Sequence, residues 1–177
     1  MIYKTLNIEE DIIAQGFTPG SYDIIVASNV LHATQSIEKS LKNTRRLLKP
    51  GGYLVLLEIT NNGPMRLGFD EGGLPGWWAG KEEGRILAPT ITPPQWNEAL
   101  LNSGFAGIDT MTPDHDTVVL PVSIMAAQAV DNKVEFLRDP FSSPNTIPKI
   151  KDLILVGGTT ARVAGEHVPS LEALRLS

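Results

Sequence analysis

The chain has 177 residues, 42% of them apolar, and a net charge of −5, which suits one ordinary α/β domain or a domain with part of another. It has no cysteine, so disulfides, thiolate metal sites and a cysteine nucleophile are excluded. The acidic balance argues against a nucleic-acid partner, and no apolar run or signal-peptide pattern indicates a membrane or secretory segment, so we expect a cytoplasmic protein.

The first part of the chain predicts a strand, a helix and a strand in succession. Ile2–Ile8 alternates loosely and predicts a short strand, whereas Tyr22–Ala27 is a continuous apolar run typical of a strand covered on both faces. Apolar residues then recur at helical spacing from Ile37 to Leu48, with Thr34 as the expected N-cap and a KPGG turn as the stop. Tyr53–Ile59 is a second buried strand, so this unit predicts two parallel strands joined by a helix.

A long segment rich in glycine and proline, with two adjacent tryptophans, follows at Asn61–Pro94, and its length favours a substrate lid or an insertion over an idle connection. Thr92, Pro93 and Gln95 then form a capping-box pattern that begins another helix. Two closing strands are predicted after it, at Phe105–Thr110 and Thr117–Ala127.

The end of the chain indicates a change of domain. We expect one domain over residues 1–130, a proline-rich linker over 131–148, and the start of another domain over 149–177, where KDLILVGGTT runs as a strand into a glycine turn.

Polar residues follow the two strongest strands at the points where those strands end. Asn29 and His32 come just after the first strand, and Glu58 stands at the end of the second. Neighbouring parallel strands lie about 4.8 Å apart and bring their carboxyl ends to one edge, where ligands bind in open α/β sheets. A carboxylate beside an imidazole supports a general base. The alternative, in which His32 caps a turn and Glu58 forms a surface pair, stays open on the residues alone.

Several motifs indicate a family. LLKPGGYLVLLE, after YDIIVASNVLHAT, resembles the turn before the fifth strand of class I S-adenosylmethionine-dependent methyltransferases. With LNIEED before them and LPGWWAGKEEGR after them, these motifs are similar to the C-methyltransferase domain of fungal highly reducing polyketide synthases, over about residues 3 to 130.

The resemblance implies transfer of a methyl group from S-adenosylmethionine to the α-carbon of a β-ketoacyl chain on an acyl carrier protein, beside neighbouring synthase domains. It implies that His32 and Glu58 form the base pair. The implied cofactor-binding residues are Asn7, Ile8, Ser28 and Asn29, with Asn7 standing where an aspartate is expected to hold the adenine. Trp77 and Trp78 would line the acyl or pantetheine channel, or else anchor a loop in the core.

Besides Asn7, the chain departs from this family in a second respect. The glycine-rich loop expected to hold the methionine end of the cofactor is not among the 177 residues, so we expect an incomplete doubly wound, Rossmann-like sheet without its first strands. We also expect the isolated chain neither to bind the cofactor tightly nor to turn over. A non-catalytic scaffold and a small-molecule O-methyltransferase are the alternative functions.

Two further motifs could bind a cofactor or a metal ion. KDLILVGGTT resembles the opening of a ketoreductase-like domain, although Gly157 and Gly158 lack the full dinucleotide-binding pattern. Asp114, His115 and Asp116 could hold a metal, but we expect no metal site.

Overall fold

The computed structural model describes residues 3–61, 72–113 and 121–139. They all lie in the first of the two units into which the chain divides, Met1–Ile147. The expected second domain, with Gly157 and Gly158, lies outside the described residues, as do Asp114, His115 and Asp116.

The described residues form an α/β fold with one mixed sheet. Its strands are β1 (Tyr22–Ser28), β2 (Leu48–Ile59), β3 (Thr110–Met111) and β4 (Val122–Gln128). The helices are α1 (Ile37–Leu47), α2 (Pro93–Leu101) and α3 (Asn132–Arg138), and short 3-10 helices occupy Leu31–Ala33, Pro75–Trp78 and Lys81–Glu83.

The strand order is β1-β2-β4-β3. β1 and β2 are parallel and connected through α1, which confirms the predicted strand–helix–strand unit. β4 runs antiparallel to both of its neighbours. The strand ends that carry the candidate site therefore lie side by side, with Ser28 opposite Leu57.

The main core lies between one face of the sheet and the helices α1 and α2. It is built from apolar side chains that alternate along the strands, together with those of the two helices: Ala27, Leu31, Ile37, Leu41, Leu48, Leu54, Leu56, Ile91, Trp96, Leu100, Phe105, Met125, Ala127 and Ala129. The period of two along β2 therefore decides that Glu58, two residues after Leu56, also points to the covered face, and it is fully buried.

The opposite face of the sheet carries exposed apolar side chains. Ile24 and Val26 of β1 are 62% and 70% exposed, and Tyr53 of β2 and Ile124 of β4 are 39% and 45% exposed. The prediction that the first strand is covered on both faces is therefore wrong for the structure, because helices α1 and α2 pack on one face only.

Two local predictions about the first half of the chain need correction. No strand forms over the described residues 3–8, where Asn7 O instead accepts a turn hydrogen bond from Glu10 N (3.2 Å). Ser36 caps α1 by accepting from Lys39 N, because the Thr34 hydroxyl donates to Leu31 O (2.7 Å).

The second half of the chain also differs from prediction in detail. The capping box before α2 is confirmed, with Gln95 Oε1 accepting from Thr92 N (2.9 Å). The strand expected over Phe105–Thr110 shrinks to β3, because Gly107 has a φ of +88° that interrupts extended backbone. The segment expected to be a linker begins with helix α3, which Asp131 caps. In the described part of the chain, no helix is long and apolar enough to cross a membrane.

Candidate functional site

The chain leaves β1 at Asn29, whose backbone has a left-handed conformation. Asn29 has a φ of +52°, and its N–H still donates to Leu57 O (2.8 Å), which extends the pairing with β2 by one residue. Asparagine tolerates this backbone region better than most side chains do. The left-handed conformation turns the chain directly into the 3-10 helix Leu31–Ala33, which carries His32 to the end of β2.

His32 and Glu58 are in direct contact at this edge of the sheet. His32 Nδ1 lies 2.6 Å from Glu58 Oε2. The other carboxylate oxygen accepts from Leu31 N (3.0 Å) and from Val30 N at a longer 3.4 Å. A fully buried carboxylate is costly unless hydrogen bonds compensate it, and here both oxygens are engaged.

This geometry rules out the alternative in which Glu58 forms a surface pair. Glu58 cannot be a surface partner, because its side chain is 0% exposed. A carboxylate only accepts hydrogen bonds, so we infer that Nδ1 carries the proton and Nε2 holds the lone pair. The His32 side chain is 13% exposed, and no other described residue bonds Nε2. The arrangement can therefore act as a general base.

The residues expected to bind the cofactor lie in two segments. Ser28 and Asn29 are exposed at the carboxyl end of β1, next to the segment that carries His32. Asn7 is exposed in an Asx turn, where its Oδ1 accepts from Glu9 N (3.0 Å), and Ile8 packs against the core. The hydrogen bond from Glu9 N therefore takes one lone pair of Asn7 Oδ1 and leaves the second lone pair out of this bond.

Two contacts hold the Asn7 turn beside the strand ends. Asn43 of α1 donates its amide to Ile8 O (2.8 Å), and Glu9 Oε1 accepts from Gln35 N (2.6 Å). Because Gln35 follows His32 by three residues, both candidate cofactor segments flank the same loop. Exposed amide and hydroxyl groups around this loop fit the polar parts of an S-adenosyl group.

The two tryptophans of the segment predicted to be a lid or an insertion have different surroundings. Trp77 is buried, at 7% exposure, which favours the anchoring alternative for that residue. Trp78 is 47% exposed, and its indole N–H donates to Gly72 O (3.0 Å). A role for either residue in an acyl channel stays a prediction.

The sequence interpretation missed Arg85. This residue lies at the end of the KEEGR run in the lid, and its side chain is buried against the loop after His32. A lone arginine in a glycine-rich segment is no signal by itself, and only the fold shows its partners. Among the described residues, no group of three or more histidine, aspartate or glutamate side chains could hold a metal ion.

Comparison with known proteins defines the class that this fold and site represent. Residues 6–110 match the methyltransferase domain family, so the chain belongs to that family. Its sequence is 54% identical, over 174 residues, to the hybrid PKS-NRPS synthetase thnA of Trichoderma harzianum. That alignment covers 97% of this chain and 4% of the synthetase.

Solved structures give the same result for the fold. The trans-methyltransferase CalH, in complex with SAH, has 38% identity and a TM-score of 0.65 over 72% of this chain and 36% of its own. The CurJ carbon methyltransferase has 36% identity and a TM-score of 0.65 over 73% of this chain and 35% of its own. The resemblance to polyketide synthase C-methyltransferases and the Rossmann-like fold class are therefore confirmed, and the chain spans only about a third of these solved proteins.

Proposed function

We propose that this chain is the catalytic portion of a polyketide synthase C-methyltransferase, acting within a longer multidomain protein. The observation that carries the proposal is the 2.6 Å contact between His32 Nδ1 and the fully buried Glu58 carboxylate at the carboxyl edge of the sheet. The likeness to thnA supports neighbouring synthase domains as partners. A cytoplasmic location remains part of the proposal, and cell fractionation tests it.

The proposed substrate is a β-ketoacyl thioester on an acyl carrier protein, whose α-hydrogen is acidic for a C–H bond. His32 Nε2 takes that proton, and the electron pair of the C–H bond passes to the carbonyl oxygen as an enolate. The imidazolium that forms stands beside the Glu58 carboxylate, which stabilises its charge. The remaining task of the site is to hold the nucleophilic α-carbon of this enolate close to the methyl group to be transferred, and aligned with it.

S-adenosylmethionine is the proposed cofactor, and when bound it supplies an electrophilic methyl group. Asn7, Ile8, Ser28 and Asn29 are the residues of this chain that would hold it. Asn7 would accept a hydrogen bond from the adenine amino group with its remaining lone pair. The exposed face of Trp78 would contact the acyl or pantetheine arm, with Trp77 fixing the segment beneath it.

The test is the substitution His32→Ala in the intact protein. We expect methylation of a β-ketoacyl thioester to fall by roughly 10²–10⁴-fold, with the affinity for S-adenosylmethionine nearly unchanged. Retention of activity would show that His32 is not the base. Methylation of a hydroxyl group in place of carbon would favour a small-molecule O-methyltransferase.

The isolated 177 residues test a separate part of the proposal. They lack the glycine-rich loop that would hold the methionine end of the cofactor, so titration calorimetry should detect no micromolar binding of S-adenosylmethionine. A micromolar dissociation constant would contradict this expectation and would mean that the residues named above suffice.

A further inference from the structure

The buried Arg85 side chain forms a bridge between the lid and the loop that carries His32. Its Nη1 donates to His32 O and to Pro89 O, at 2.6 and 2.8 Å. Its Nη2 donates to Thr34 O and Gln35 O, at 2.6 and 3.1 Å. One guanidinium therefore satisfies three carbonyl oxygens in the four residues that begin with His32.

A carboxylate completes this bridge. Glu83 Oε2 accepts from Arg85 Nη2 (3.2 Å), and burial lowers the pKa of Arg85 while the charge of Glu83 opposes that effect. The same carboxylate also meets the first turn of α1, accepting from the Ser36 hydroxyl (2.6 Å) and from Ile37 N (3.1 Å). A negative charge at a helix N-terminus is stabilising. Arg85 and Glu83 therefore bind the segment between His32 and α1 at both of its ends: Arg85 at His32, and Glu83 at the start of α1.

The position of the guanidinium depends on Gly80. A Cβ atom built on Gly80 would lie 2.0 Å from Arg85 Cζ, far inside van der Waals contact. Gly80 has a φ of −88°, which any residue can adopt, so space alone requires glycine here. By contrast, a Cβ atom built on Gly76 meets nothing within 4 Å.

The two sets of contacts on His32 act on different parts of the residue. Glu58 holds the ring at Nδ1 and the N–H of the preceding Leu31, whereas Arg85 holds the carbonyl of His32 itself and the carbonyls that follow. The imidazole ring of His32 can keep its orientation only while the backbone of that residue stays in place. A misplacement of about 1 Å can cost roughly 100-fold in rate.

We propose that Arg85 is a positioning residue for the general base, fixing the backbone of His32 and coupling the orientation of its ring to the segment 80–89. The inference rests on the proposed function, because it takes His32 as the base. Lysine cannot replace the arginine fully, since one ammonium group cannot reach carbonyls spread around a planar fork.

The experiment uses the full-length protein with S-adenosylmethionine and a β-ketoacyl N-acetylcysteamine thioester as probe. We expect Arg85→Gln and Gly80→Ala each to lower kcat by roughly 100-fold, with KM for S-adenosylmethionine within about twofold of the parent. Both should also shift the pH profile of kcat, and Arg85→Lys should restore part of the rate. Gly76→Ala, a glycine-to-alanine change in the same lid, should leave all these values unchanged.

Two outcomes separate this inference from the proposed function. If His32→Ala abolishes methylation but folded Arg85→Gln keeps the parental kcat and pH profile, the positioning role is wrong and Arg85 only stabilises the fold. If His32→Ala remains active, the proposed base itself is wrong. If Arg85→Gln does not fold, Gly80→Ala decides, because it keeps the charge and moves only the guanidinium; a parental kcat in that variant overturns the inference.

Discussion

The substitution Glu58→Gln separates the chemistry of the site from its stability. Glutamine has nearly the same shape as glutamate, but one acceptor oxygen is replaced by a donating NH₂ group. Glu58 is fully buried, so water cannot repair a mismatched hydrogen bond. The outcome therefore depends on which way the amide faces.

The hydrogen bonds of the structure decide the orientation. If the amide oxygen replaces Oε1, it keeps the bonds from Leu31 N and Val30 N, at 3.0 and 3.4 Å, and the NH₂ group faces His32 Nδ1. The opposite orientation leaves the buried Leu31 N–H without an acceptor, at a cost of about 1–3 kcal/mol. The first orientation is therefore favoured, and it forces Nδ1 to accept, which moves the proton to Nε2.

The expected result is an enzyme that folds but lacks its base. In the full-length protein, kcat for methylation should fall by roughly 10²–10⁴-fold, while the midpoint of thermal unfolding changes little. Glu38→Gln is the matched control, because that carboxylate is half exposed in an i,i+4 pair with Lys42 and should affect neither value. A folded Glu58→Gln protein with a kcat within a few-fold of the parent would refute the inferred tautomer.

Two predictions concern the stability of the fold. A Cβ atom at position 52 would lie 2.8 Å from Asp23 O, so Gly52→Ala should destabilise the chain by about 1–3 kcal/mol in chemical denaturation, whereas Gly73→Ala, with nothing within 4 Å, should not. Equal midpoints of denaturation for the Gly52→Ala and Gly73→Ala variants would contradict the close approach of position 52 to Asp23 O. A hydrogen bond from the Ala14 N–H lowers the pKa of Asp11 below 3.8, so its carboxylate stabilises the fold above about pH 4 and loses this effect as the pH falls through the lowered pKa. Asp11→Asn should therefore lose less stability than the parent on acidification, and identical pH dependence of the two melting curves would show that Asp11 contributes nothing.

The amino-acid sequence was sufficient to predict the parallel strand–helix–strand unit and the edge of the sheet at which the candidate site lies. Continuous apolar runs and helical spacing report local structure, because alternation and the 3.6-residue period depend on which side chains are buried. The placement of His32 and Glu58 at two strand ends followed from that unit, since neighbouring parallel strands end at one edge.

The contacts between segments that are distant in the chain could not be predicted without the fold. The bonds from Arg85 to the His32 loop join residues about 50 positions apart, and no local pattern in KEEGR encodes them. The exposure of Ile24 and Val26 has the same origin, because an apolar residue in a strand shows a preference for burial but not what covers it. The predicted cap of α1 was wrong for a related reason: Thr34 and Ser36 are both good capping residues, and the fold selects Ser36 by giving the Thr34 hydroxyl another partner.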